Sequence, residues 1–283
     1  MSKNRLLRCP ICHSEFQQNP HGIACPNRHQ FDKAKEGYFN LLPVQKKNSL
    51  TPGDAKEQLK ARREFLQTGL FEPLKLKLLS LIDPSANTLL DVGCGEGYFT
   101  RALAAHLPHT EIYAVDIAKS GISMAAKAAK NLPNITHLVA SNFDLPIQDQ
   151  SMDVIIRILA PSKDNELQRV LKSDGKLLII IPGEQHLIEL RKKIYQNIRP
   201  LQSLPEIEGF SLIQKHSIQF PLELQAFEQV QSLLDMTPFS WKVNQEKKGL
   251  LLAGGLSDFA DFLIGEYGRS LAGFKSSPNH QYE

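Results

Sequence analysis

The sequence predicts an α/β protein, a buried parallel sheet wrapped by helices, with a small metal-stapled module ahead of it. Three observations predict this class. Apolar, strand-like runs alternate with helical patterns between residues 88 and 181. The first run empties into a glycine-rich turn, Asp91-Val92-Gly93-Cys94-Gly95-Glu96-Gly97. Three of the four cysteines, Cys9, Cys12 and Cys25, crowd the first 25 residues, and only Cys94 lies beyond them.

Composition narrows the class. Hydrophobic residues make up 42% of the 283 positions, enough for a packed core. No apolar run reaches the roughly 18–20 residues that a membrane helix needs. Met1-Ser2-Lys3-Asn4-Arg5 leads into no apolar segment, so a secretory signal is not expected and the expected compartment is cytoplasmic. Reduced thiols there argue against a disulfide framework. Charge is unevenly spread: residues 1–63 hold 12 Lys/Arg against 5 Asp/Glu, while the remainder holds 21 against 25. A basic head on a slightly acidic body fits a polyanionic partner, or simply a solvated basic surface.

Residues 1–45 read as a zinc module. Cys9-Pro10-Ile11-Cys12 places two thiolates across a tight turn, twelve residues separate Cys12 from Cys25, and three separate Cys25 from His29. Three sulfurs and one imidazole nitrogen make a closed tetrahedral shell of the structural zinc type. His13 and His21 compete for the fourth position, but His29 has the natural spacing. So short a segment needs the metal for its folding energy. Phe31, Tyr38 and Phe39 follow, interleaved with Lys33 and Lys35. These residues can stack bases and pair phosphates, or the rings can pack the module's own core.

Residues 46–82 read as a linker and a helix. Lys46 to Asp54 is polar with Pro-Gly punctuation. A helix is expected over residues 54–68, with Asp54 as its N-cap. In layouts of this kind such a helix lies across a ligand mouth, though it could equally bridge two parts of the molecule.

Residues 83–283 read as the α/β domain. Strand one is Thr88 to Val92, and its turn reads D-x-G-x-G-x-G rather than G-x-G-x-x-G. Glycine lets the backbone turn tightly and meet a ligand without side chains. Strand two, Glu111 to Asp116, ends in an acid 19 positions after Gly97 that can accept both ribose hydroxyls. Dinucleotide enzymes use an acid at similar spacing, so Asp116 alone is ambiguous. Asp91 ahead of Gly93, and the lack of a pyrophosphate-type glycine step, favour the phosphate-free methyl donor S-adenosylmethionine and hence a Rossmann-like class I methyltransferase sheet. Cys94 is most simply a small apolar residue in that turn. Strand three covers residues 135–141 and ends at Asn142 or Asp144, candidates for reading adenine. Strand four covers residues 152–160, strand five residues 177–181, and residues 209–220 form a sixth. An amphipathic helix over residues 224–235 precedes Met236-Thr237-Pro238-Phe239-Ser240-Trp241, either a target-recognition element or a core staple. A last strand is expected over Asp258–Glu266, and residues 270–283 as a frayed polar tail. His186 lies after strand five, where a lone His is often structural.

Taken together these residues resemble the bacterial 23S rRNA (guanine-N1) methyltransferases. The resemblance rests on Cys9-Pro10-x-Cys12 with Cys25-Pro26-x-x-His29, on Phe31-Asp32-x-Ala34-Lys35-Glu36-Gly37-Tyr38, on Pro52-Gly53-Asp54 and on Ala61-Arg62-Arg63-x-Phe65-Leu66. It continues through Asp91-x-Gly93-Cys94-Gly95-Glu96-Gly97-Tyr98, Pro182-Gly183-x-x-His186-Leu187 and Met236-Thr237-Pro238-Phe239. It implies zinc on Cys9, Cys12, Cys25 and His29, and cofactor contacts at Gly95, Glu96 and His186. A further contact is implied at Phe71, where the family usually has Tyr, so only stacking carries over. The family's I-Y-A-P is Ile158-Leu159-Ala160-Pro161 here, which removes any role for that tyrosine. The resemblance further implies a homodimer that embraces a hairpin, helix 35, of 23S rRNA. No general base stands out, with Asp144, Arg157 and Asp164 all near the relevant strand ends. Two other readings remain: a methyltransferase of another RNA or a small molecule, and a zinc-containing binder without activity.

Overall fold

The computed structural model describes residues 5–19, 21–46, 52–198, 200, 203–243 and 245–270. The expected tail, residues 271–283, and linker residues 47–51 lie outside the described residues.

Three short strands open the chain: β1 (Gln17–Asn19), β2 (Gly22–Ala24) and β3 (Gln30–Asp32), an antiparallel ribbon in the order β1-β2-β3. Then come β4 (Phe39–Asn40), α1 (Lys56–Gln67) and α2 (Glu72–Ser80). The α/β alternation follows with β5 (Thr88–Val92), α3 (Tyr98–His106), β6 (Glu111–Asp116), α4 (Lys119–Ala128), β7 (Ile135–Val139), β8 (Met152–Ile158), α5 (Asp164–Val170) and β9 (Leu171–Pro182). The chain closes with α6 (Ile188–Ile194), β10 (Phe210–Leu224), α7 (Phe227–Met236), α8 (Gln245–Gly254) and β11 (Leu256–Arg269).

The main sheet has the order β10-β11-β9-β8-β5-β6-β7-β4. Strands β4 to β9 run parallel, and β10 and β11, joined through α7 and α8, add an antiparallel pair at one edge. Every residue of β5 is buried, as the apolar run required, because both faces of the sheet are covered. From β5 the chain builds outward through β6 and β7, then returns to lay β8 on the other flank of β5. The reversal opens a crevice at the carboxyl ends of β5 and β8, where doubly wound sheets bind ligands.

One sheet face packs Phe65, Phe71, Leu74, Leu103, Leu190, Leu233 and Phe262 into a single cluster. The opposite face packs Leu90, Val92, Val115, Leu138 and Ile179, and this cluster takes in Leu7 and Ile23 from the first module. The module therefore shares a core with the sheet. An isolated bridge, Leu7 to Ile147, and β4 alongside β7 tie it down further.

Several local expectations are corrected. Ala55, not Asp54, caps α1, because the Asp54 carboxylate pairs with Arg62 at 2.7 Å. Strand five begins at Leu171 rather than at Leu177, since an irregularity between Met152 and Val154 lets Leu171 pair with Met152. Strand four ends at Ile158, where Leu159 swings to φ 51°. The helix after β9 begins at Ile188, leaving His186 in the turn before it. Phe39 and Tyr38 are buried in sheet-side clusters, and Phe31 packs edge-on against Phe16 at 5.6 Å, so these rings serve the core.

Candidate functional site

The four predicted zinc ligands come together. Sγ of Cys9, Cys12 and Cys25 and a ring nitrogen of His29 all lie within 4.8 Å of one another. The Cys12–Cys25 sulfurs are 3.6 Å apart, and His29 Nδ1 is 3.5 Å from Cys9 Sγ and 3.4 Å from Cys25 Sγ. A tetrahedron built on Zn–S and Zn–N bonds of about 2.3 and 2.0–2.1 Å has edges of about 3.8 Å between sulfurs and 3.6 Å from sulfur to nitrogen. The set therefore fits zinc. Two knuckles shape it. His13 N donates to Cys9 O and Arg28 N to Cys25 O, each at 2.9 Å, with His13 and Arg28 themselves at φ 60° and 62°. The Ser14 hydroxyl, 3.1 Å from Cys12 Sγ, holds that thiol down to about 5, while burial pushes Cys9 up to about 11. A bound cation would supply the charge that Cys9 needs to ionise. His13 and His21 stand outside the cluster.

The second centre is the glycine turn after β5. Gly93, Gly95 and Gly97 all take positive φ, at 78°, 57° and 81°. A side-chain carbon at Gly93 would meet Ala160 Cβ at 2.3 Å. Asp116, at the end of β6, accepts from Gly95 N at 2.9 Å and from Ala118 N at 2.7 Å. Each carboxylate oxygen keeps a lone pair, which leaves capacity for ribose hydroxyls. Burial raises the Asp116 carboxyl above its ordinary value. Asn142, 8% exposed, donates from Nδ2 to Pro161 O at 3.2 Å, while its Oδ1 is buried with no partner among the described residues. A buried acceptor left open beside Gly93 suits the exocyclic amine of adenine, so these residues fit S-adenosylmethionine. Glu96 is 2% exposed and its carboxylate lies 3.4 Å from the Arg101 guanidinium. Asp91 faces inward, its Oδ2 taking the Thr100 hydroxyl at 2.5 Å, so it pins α3 to the strand end. Burial pushes Asp91 up to about 7. Helix α1 lies over this turn: Arg62 and Leu59 are the atoms nearest Gly95, as expected of a helix at the mouth.

Phe71 and His186 occupy a neighbouring aromatic cluster instead of the turn itself. The Phe71 ring packs edge-on against Phe65, Phe220 and Phe262 at 5.4–5.8 Å, and His186 lies 4.7 Å from Phe262. His186 Nδ1 accepts from Asp261 N at 3.3 Å, so the neutral ring carries its proton on Nε2. Burial lowers His186 to about 4 and keeps it neutral at physiological pH.

Beyond the turn the crevice continues into a cleft of about 340 Å³ between the ends of β8 and β9. Arg157, Leu159, Ala160, Pro161 and Ser162 line one side, and Pro182 and Pro205 lie opposite. Ala160 and Pro161 are shared: they touch Gly93 and Asn142 on one face and the cleft on the other. Arg157, expected from the sequence near a relevant strand end, lines this cleft; β8 carries a second charged residue, Asp153, toward its other end.

A family profile described as the RlmA N-terminal zinc ribbon matches residues 7–50, and one described as a methyltransferase domain matches residues 83–237. YxjB of Bacillus subtilis (strain 168), provisionally named a 23S rRNA (guanine-N1)-methyltransferase, is 32% identical over 279 residues, covering 92% of this chain and 96% of its own. The 23S rRNA (guanine(748)-N1)-methyltransferase of Streptomyces fradiae is 30% identical over 198 residues, covering 67% and 69%. The two profiles fall on the two parts of the chain described above, the zinc ribbon and the sheet with its glycine turn. The chain is a zinc-ribbon, S-adenosylmethionine-dependent methyltransferase and belongs to the family of 23S rRNA (guanine-N1)-methyltransferases.

Proposed function

We propose that this protein transfers a methyl group to N1 of a guanine in the helix 35 hairpin loop of 23S ribosomal RNA. S-adenosylmethionine supplies an activated sulfonium methyl; N1–CH₃ forms as S–CH₃ breaks, sulfur keeps the bonding pair, and the N1 proton leaves to solvent. The observation that carries the reading is the shared wall at Ala160–Pro161, which sets the donor turn against a cleft of about 340 Å³. That volume is at the small end of ligand pockets, about 300–1,000 Å³, and suits a single extruded base. Exposed Lys33 and Lys35 on the ribbon side and Trp241, 80% exposed beyond α7, offer phosphate pairing and base stacking.

In this reading Gly93, Gly95, Glu96, Asp116 and Asn142 hold the donor, with Phe71 and His186 behind them, and Cys9, Cys12, Cys25 and His29 hold zinc. Residues 1–45 act as the RNA-recognition module, 46–82 as the linker and mouth helix, and 83–283 as the transferase. Two copies form a homodimer around the hairpin, in the cytoplasm where the rRNA resides. The test is to incubate purified protein and S-adenosylmethionine with unmodified 23S rRNA and map products by mass spectrometry. One N1-methylguanine in the helix 35 loop is expected. Methylation elsewhere, or of no guanine, would overturn the proposal.

A further inference from the structure

We infer that Arg157 is a catalytic residue: its guanidinium donates to O6 of the target guanine and stabilises the negative charge that moves onto O6 as N1 gives up its proton. This rests on the guanine-N1 reading above.

The argument starts from the chemistry of the acceptor. Neutral guanine carries a proton on N1, and its lone pair is spent in the ring amide, so N1 is a poor nucleophile. Loss of that proton leaves an anion shared between N1 and O6. Nothing in the cleft is a base in an obvious position. What the cleft does contain is a cation. Arg157 sits at the carboxyl end of β8, paired across the sheet with Val92 on β5 and Ile179 on β9. It is therefore held between the strand that feeds the donor turn and the strand that forms the cleft's far wall.

The guanidinium is poorly satisfied. Its one side-chain hydrogen bond among the described residues is from Nη1 to the Ser162 hydroxyl, at 2.9 Å. A guanidinium has five N–H donors, so most of its capacity stays open toward the cleft it lines. No carboxylate among the described residues comes within ion-pair distance of it. The charged and titratable groups facing it are Asp164 on α5 and Tyr267 on β11. Asp164 is already occupied by Glu208 N at 3.1 Å, and the Tyr267 hydroxyl by Pro205 O at 2.8 Å. Burial lowers the Arg157 pKa from its ordinary value, and the Asp164 and Tyr267 groups facing it offset this only in part. Such a group gains most when an anion forms beside it, and a preorganised donor aimed at developing charge needs no reorganisation. The arginine side chain is also the usual reader of guanine O6. Ala160 and Pro161 line the same cleft as Arg157 and border the donor turn, so a guanine whose O6 meets Arg157 has its adjacent N1, on the same edge, in the cleft beside that turn.

The experiment compares wild type, Arg157→Lys and Arg157→Gln on unmodified 23S rRNA between pH 6 and 9. Arg157→Gln is expected to lower kcat on the order of 10²–10³-fold, the usual cost of one oxyanion donor, with KM for RNA little changed. The rising limb of its pH–kcat profile should move to higher pH, because the guanine anion is no longer stabilised. Arg157→Lys should recover part of both effects. Calorimetric binding of S-adenosylhomocysteine and the melting temperature, read on the same samples, should match wild type. If kcat is kept and KM rises with a shallower salt dependence, Arg157 contacts a phosphate and the inference is wrong. A lowered kcat with an unmoved pH profile, or lost homocysteine-ligand binding, would assign it a structural role. Should wild type itself make no N1-methylguanine, it is the functional reading that fails, independently of Arg157.

Discussion

At the scale of single residues, the donor turn is held by two acids in opposite ways. Asp116 takes Gly95 N of the turn on one oxygen and Ala118 N, ahead of α4, on the other, while Asp91 is spent on the Thr100 hydroxyl. Replacing Asp116 by Asn should weaken S-adenosylhomocysteine binding about 10-fold or more, since hydrogen bonds to charged groups contribute roughly 1.5–3 kcal/mol; calorimetry would show it, and unchanged affinity would remove Asp116 from the site. For Asp91 the sign follows from burial. Its folded value is raised to about 7 from 3.8, so its protonated form is favoured in the native state. The stability this group contributes is full below pH 4 and is lost as pH rises toward 7 and beyond. Asp91→Asn should cancel that decline, so the variant-minus-wild-type melting difference should grow more positive from pH 5 to pH 8. A difference that is flat across that range would mean that Asp91 stays ionised throughout. Gly93, Gly95 and the zinc ligands were legible from their spacing, and Asp116 from its place at the end of a strand after the glycine turn. Arg157 was legible only as one of three polar residues near the strand ends, because what it faces depends on β9 and on Pro205, remote in the chain.

At the scale of elements, the ribbon is bound to the sheet more tightly than a tethered accessory would be. Leu7 and Ile23 are fully buried in a sheet-face core, and Arg8 lies 3.3 Å from Asp149 and 3.9 Å from Glu166. Arg169 bridges the same two acids at 2.7 Å each. Metal loss should therefore reach the transferase. Chelation, or Cys25→Ser, is expected to lower the melting temperature of the whole protein by several degrees and to abolish tight RNA binding, with donor binding measured below the transition retained. Unchanged melting after verified zinc removal would show that the ribbon stands without its ion. The sequence showed the ligands of this element but not its docking, because Leu7, Ile23 and Phe39 look like any module core until the sheet beneath them is known.

At the scale of the whole molecule, the proposed function requires a basic head and a cleft to meet one polynucleotide. The head carries 12 of the 33 Lys/Arg in its first 63 residues. RNA affinity should fall steeply with salt, and Lys33→Gln with Lys35→Gln should reduce the slope of log affinity against log salt by about one to two, with kcat at saturating RNA preserved. A slope untouched by both changes would place the phosphates elsewhere.

The sequence by itself determined the zinc shell, the glycine turn, the acid that ends β6 and the alternating strands, because each is a local demand of bond geometry, backbone freedom or periodicity. Tertiary structure decided where those parts meet. The reversal of strand order at β5 and β8 presses Ala160 against Gly93, Leu159 turns the chain away at φ 51°, and Arg157 is left lining the cleft that results. No local pattern encodes that juxtaposition, since it exists only once segments far apart in the chain have paired into one sheet.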